Sequence, residues 1–94
     1  MDYPRRLRDK GNLLYHCGRP AESVIVLASL EPKDRVREGL KHLELCRSLL
    51  ALNARSEAAT SLEKGKLLLG DTEIVQMHEL ISELELELSR WASK

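Results

Sequence analysis

Apolar side chains recur along this chain at three- and four-residue intervals, and proline, glycine and asparagine cut the pattern into five stretches. The clearest stripe comes last, where Ile74, Met77, Ile81, Leu84, Leu88 and Trp91 follow a 3-4-3-4-3 spacing. Inside it Leu84-Glu85-Leu86-Glu87-Leu88 alternates as a strand would, but the longer helical period predicts helix there. Pro4 suits the first turn of a helix over about residues 5–17, closed by Gly18 in a left-handed conformation. Pro20 opens a second helix to about Glu31, where Pro32 stops it. Asp34 N-caps a third, which reaches Leu52 and closes at Asn53. Ser56 caps a fourth ending at Gly70, and Asp71 or Thr72 caps a fifth running towards Arg90. The short connections make successive helices antiparallel neighbours.

Composition narrows this to an all-α fold in one domain over residues 1–94. Hydrophobic residues make up 43% of the chain and are concentrated in leucine, with no phenylalanine, while charged residues make up 32%. That balance excludes disorder and favours helix. The longest apolar run, Val24-Ile25-Val26-Leu27-Ala28, is too short to cross a bilayer. Leu13-Leu14-Tyr15 is no signal-peptide core, so Cys17 and Cys46 read as buried thiols of a reducing compartment, and the expected compartment is the cytoplasm.

The helix–turn–helix unit occurs twice. A shift of 35 residues aligns Leu14 with Leu49, Gly18 with Asn53, Glu22 with Glu57, Ser23 with Ala58 and Leu27 with Leu62. The last helix opens like a third copy, with Leu80, Ile81 and Leu84 falling on Leu45, Cys46 and Leu49. The run Gly11-Asn12-Leu13-Leu14-Tyr15-His16-Cys17-Gly18-Arg19-Pro20-Ala21-Glu22-Ser23-Val24 resembles the tetratricopeptide repeat family. Small residues at Gly11, Ser23, Cys46, Ala58 and Gly65 fit positions where paired helices touch. The family's tryptophan is replaced by Leu7 and His42. The resemblance implies about two and a half helical hairpins: one over about 5–31, one over about 34–69, and a C-terminal capping helix over about 72–90.

Enzyme signatures are missing: no glycine-rich phosphate loop, no Gly-x-Ser-x-Gly elbow and no Cys-x-x-Cys pair. No cofactor and no metal are expected. His42 and Cys46 are one helical turn apart and could chelate with His16 and Cys17, but packed side chains account for them better. Glu83, Glu85 and Glu87 read as a solvated helix face. Residues 1–50 carry a net charge of +3 and residues 51–94 of −3, too mild and too poor in aromatics for a nucleic-acid surface. Neither nucleic acid, membrane nor small-molecule substrate is expected as a partner.

The resemblance implies a concave surface lined by the first helix of each hairpin, which the family uses to hold peptides and helices. It assigns Arg5, Arg8, Asn12, Tyr15 and His16 to that surface, then Leu40, Leu43, Arg47 and Leu50, then Val75, His78, Ser82 and Glu85. Tyr15, Leu40, Leu43, Arg47, Leu50 and Val75 are the expected partner-binding residues, with Arg8, Asn12 and His78 secondary. Leu40, Leu43 and Leu50 lie on one helix face and Leu45, Leu49 and Leu52 on another. A helix apolar on two sides must be covered on both, by the fifth helix or by a partner. The expectation is a partner. One branch of the family clamps a C-terminal carboxylate; Arg8, Asn12 and Arg47 match part of that clamp, but its second asparagine is absent. In size and repeat number the chain also resembles the small cytoplasmic chaperones of bacterial type III secretion. They hold the apolar helix of a needle subunit, often with a second small helical co-chaperone, and so prevent premature assembly. The expected function is therefore a non-enzymatic chaperone for an amphipathic helix, with a constitutive scaffold or adaptor, or a small metal- or nucleic-acid-binding regulator, as alternatives.

Overall fold

The computed structural model describes residues 3–92, with side chains over residues 9–90. They form five α-helices and no strand: α1 (Tyr3–His16), α2 (Pro20–Ala28), α3 (Arg35–Ala51), α4 (Arg55–Leu69) and α5 (Val75–Ala92). The fold is all-α, and none of these helices is long and apolar enough to cross a membrane.

The first two hairpin turns are built alike, one repeat apart. Gly18 (φ 77°) and Asn53 (φ 61°) both take the left-handed conformation. In each turn the next amide reaches back over the helix end, Arg19 N–H to Leu14 O and Ala54 N–H to Leu49 O, both at 2.9 Å. Each of these residues then accepts the first bond of the following helix, from Ser23 N–H and Ala58 N–H. Glycine and asparagine tolerate positive φ, which is why these two types mark the turns.

Three boundaries differ from the sequence pattern. Helix α2 stops at Ala28, where Ser29 Oγ donates to Val26 O at 2.6 Å. Pro32 already excludes Glu31 from helical geometry, so the helix ends short of it. Helix α4 starts at Arg55 with Ala54 as its N-cap and no side-chain cap, so Ser56 does not cap it. The left-handed turn at Asn53 leads straight into the helix and sets that start. Helix α5 begins at Val75; Thr72 Oγ1 accepts from Ile74 N–H at 3.3 Å in the loop before it. Asp34 does cap α3, accepting from Arg37 N–H at 2.8 Å.

Helix α3 is the hub and touches each of the other four. Two helix triangles, α1–α2–α3 and α3–α4–α5, share it. The α3–α4 contact is the tightest, because two glycines let the helices close on each other. Leu69 packs over Gly39, and a Cβ on Gly65 would stand 2.7 Å from Leu43 Cδ2 and 3.3 Å from the Gly39 carbonyl oxygen. Four residues on along α3 meet four residues back along α4, as antiparallel helices require. In the first hairpin Leu27 fills the space over Gly11 in the same way. Arg35 ties the hairpin's open end, donating from Nε and Nη2 to Leu68 O and Leu67 O.

The core is divided between the two triangles. Leu43, Cys46, Leu50, Ala58, Leu62, Leu69, Ile81 and Leu84 form the larger cluster, between α3, α4 and α5. Leu27, Leu30 and Leu45, with Val24, form the smaller one between α2 and α3. A buried polar link stitches the first triangle together: Ser23 Oγ donates to Gly11 O at 2.6 Å and lies 3.0 Å from Ser48 Oγ. All five positions expected to be small at helix contacts are buried. The molecule measures 44 × 31 × 18 Å, so its thinnest dimension is that of two helices in contact.

Candidate functional site

The odd-numbered helices α1, α3 and α5 line a common cleft of about 480 Å3. Its walls carry Tyr15 from α1, Arg47, Leu50 and Ala51 from α3, and Leu80, Glu83, Leu84, Leu86, Glu87 and Arg90 from α5. Leu50 and Leu84 belong to the core and form the floor, while Leu86 projects, 54% exposed. Apolar side chains thus lie at the bottom and charged ones stand around the rim.

Arg47 links the α3 and α1 walls of the cleft. Its guanidinium stacks over the Tyr15 ring, 4.3 Å from the centroid, and Nη2 donates to Asn12 Oδ1 at 3.1 Å. Tyr15 and Asn12 are one helical turn apart on α1, so both reach the same point on α3. Neither is charged. Arg47 Nε is buried without a hydrogen-bond partner, and among the described residues no carboxylate pairs with this arginine. Glu87 and Arg90 pair on the rim of α5 at 3.5 Å.

The structure brings Tyr15, Arg47 and Leu50 together with Asn12 beside them, and moves the other expected partner-binding residues elsewhere. Leu43 is fully buried in the notch over Gly65 and is core, not groove. Leu50 is 8% exposed, so it offers a floor and little more. Ile81 and Leu84 of α5 share one core with Leu43 and Leu50, so the chain itself covers these leucines and no partner is needed to. Leu40 is half-buried and does not line the cleft. Val75 is exposed at the first turn of α5, and His78 Nε2 contacts Thr72 O at 2.7 Å in the preceding loop. Glu85 is held by Lys66 of α4 at 2.9 Å. The side chains of Arg5, Leu7, Arg8 and Trp91 lie outside those described.

The reason for the α5 differences is a rotation of that helix. The 35-residue shift superposes α3 on α1 but misplaces α5, whose cleft-lining residues are Leu80, Glu83, Leu84, Leu86, Glu87 and Arg90 rather than Val75, His78, Ser82 and Glu85. The Met77–Ile81–Leu84–Leu88 stripe must face α3 and α4, and the hand of the helix then presents Glu83 and Glu87 to the cleft. That stripe was the available signal, since its flanking positions follow from it.

Titratable groups away from the cleft are packing features. Burial pushes the Cys46 thiol up to about 11. Burial also holds His42 below its ordinary value, partly offset by Glu38 at 3.3 Å. Cys17 is exposed. Among the described residues no three His, Cys, Asp or Glu side chains gather as metal ligands. No protein-family model, curated protein or solved structure matches this chain.

Proposed function

We propose that this chain is a non-enzymatic interaction module that holds an amphipathic helix of a partner protein in the α1–α3–α5 cleft. At the finer level, it acts as a cytoplasmic chaperone that keeps a polymerising helix, such as a secretion needle subunit's, from assembling too early. The observation that carries this reading is the cleft itself: an apolar floor of Leu50, Leu80 and Leu84, the projecting Leu86 and the flat face of Tyr15, rimmed by charge. Helix-in-groove recognition needs these parts, with an apolar stripe docking on the floor and polar flanks meeting the rim.

The test compares two exposed leucines. Leu86→Asp puts a charge into the cleft, and Leu67→Asp puts the same charge on the outside of α4, where Leu67 is 75% exposed. Partners bound near one-to-one in the native host are measured by quantitative mass spectrometry, and their binding segments by hydrogen exchange. A partner segment that turns helical on binding, lost with Leu86→Asp and kept with Leu67→Asp, supports the reading. Equal retention by both variants, at unchanged helix content, refutes it.

A further inference from the structure

We propose that Arg47 and Glu83 read the direction of the bound helix, accepting one with an acidic flank toward α3 and a basic flank toward α5. This deepens the cleft reading above and rests on it. Arg47 is held by two groups of α1, the Tyr15 ring and Asn12 Oδ1. Both partners are neutral, so they orient the guanidinium without cancelling its charge, and its buried Nε–H is unanswered. Glu83 lines the opposite wall on α5 and has no ion-pair partner among the described residues. The cleft therefore carries an uncompensated positive charge on one wall and an uncompensated negative charge on the other.

Two opposed charges across a groove make an orientation filter. A helix lying in the cleft must put its apolar stripe on Leu50, Leu80 and Leu84, which leaves one flank toward each wall. Reversing its N-to-C direction about the groove normal exchanges the flanks. A helix with a Glu or Asp flank and a Lys or Arg flank then meets Arg47 with its base and Glu83 with its acid. Like charges brought together across a partly desolvated groove oppose binding, so one direction is selected. The occupant is thus a partner helix whose apolar stripe is bordered by acid on one side and base on the other, not one with a uniformly charged polar face.

The probe is a synthetic amphipathic helix with a leucine stripe, a Glu flank, a Lys flank and a photo-crosslinking group at its N-terminus. A second peptide carries Gln on both flanks. Affinity is read by fluorescence anisotropy and direction by the crosslinked residues, near Arg90 at one end of the cleft or near Leu80 towards the other. The charged probe crosslinks at one end only. The exposed substitution Glu83→Lys weakens the charged probe about 3- to 10-fold, less at high salt, and leaves the Gln probe unchanged. The swap Arg47→Glu/Glu83→Lys restores affinity and moves the crosslink to the other end. Should the swap misfold, Glu83→Lys with the two probes decides alone. Crosslinks at both ends, a site unmoved by a folded swap, or equal loss for both probes overturns the direction filter while the cleft reading stands. If neither probe crosslinks within the cleft, the cleft reading falls and takes the filter with it.

Discussion

Replacing Gly65 by alanine sets two effects of opposite sign against each other. Alanine in a helix interior is favoured over glycine by about 1 kcal/mol, so on propensity alone the change stabilises α4. The structure reverses that sign. The new methyl would stand 2.7 Å from Leu43 Cδ2, 3.1 Å from its Cγ and 3.3 Å from the Gly39 carbonyl oxygen. A flexible surface side chain could move away, but Leu43 is fully buried among the residues of the larger core, and the third neighbour is backbone. Forcing a carbon into a packed core costs about 1–3 kcal/mol, and this contact with two helices at once belongs in the upper part of that range. The net effect is a loss of about 1–2 kcal/mol, and each kilocalorie lowers the melting temperature by about 4–8 °C for a domain of this size. Thermal denaturation followed by circular dichroism measures it. A Leu43→Val background removes one of the crowding atoms, so Gly65→Ala should cost less there than in the native chain, and the two changes should couple favourably. A Gly65→Ala protein as stable as the native one, or more so, would show that α3 and α4 do not approach each other as described.

Three further outcomes follow from the two thiols, from His42 and from Arg35. Ellman's reagent should titrate Cys17 rapidly at pH 8 in the folded protein, and Cys46 only on unfolding, because its thiol is buried and raised to about 11; immediate reaction of both would refute the packing of α3. His42 binds its proton more weakly in the folded state than unfolded, so stability should be full above about pH 6.5, the unfolded value, and fall as pH drops below it. Urea midpoints at pH 7.5 and 5.5 read the slope, and His42→Gln should flatten it; an unaltered slope would place His42 in solvent. Arg35→Ala removes both bonds to the end of α4 and should destabilise by well under 1 kcal/mol, since both are exposed, as a small shift in urea midpoint would show.

The sequence made the helix count and the first two turns legible because each is fixed locally. Proline and glycine act through their own backbone, and Gly18 and Asn53 stand in the left-handed conformation that their types favour. Asp34 was equally legible, since an N-cap needs only the amide three residues on. The 35-residue repeat also pointed to Tyr15, Asn12, Arg47 and Leu50 as neighbours, because α1 and α3 each open a similarly built hairpin. What the repeat could not supply was the facing of α5. Its own apolar stripe packs onto α3 and α4, which rotates α5 away from the repeat's register. The same covering explains Leu43. Leu43 shares a helix face with Leu40 and Leu50 and looks like groove when α3 is read alone, and only the missing side chain of Gly65, 22 residues downstream, shows which helix takes it. Glu83 escaped for the same reason.

The divided core bears on how the molecule opens. Among the described residues helices α1 and α2 touch the remainder through α3, by way of the small Leu27–Leu30–Leu45 cluster, the Ser23–Ser48 link and the contacts of Arg47 with Tyr15 and Asn12. Such an arrangement gives two cooperative units with separate opening free energies, the first hairpin being the cheaper to release. Tyr15 and Asn12 lie on that hairpin, whereas Leu84 and Glu83 lie in the other unit. An occupant of the cleft therefore bridges the joint. Amide protons of α1 and α2 should slow their exchange when the cleft is filled, even where they touch no ligand, because the bound segment fastens the two units into one.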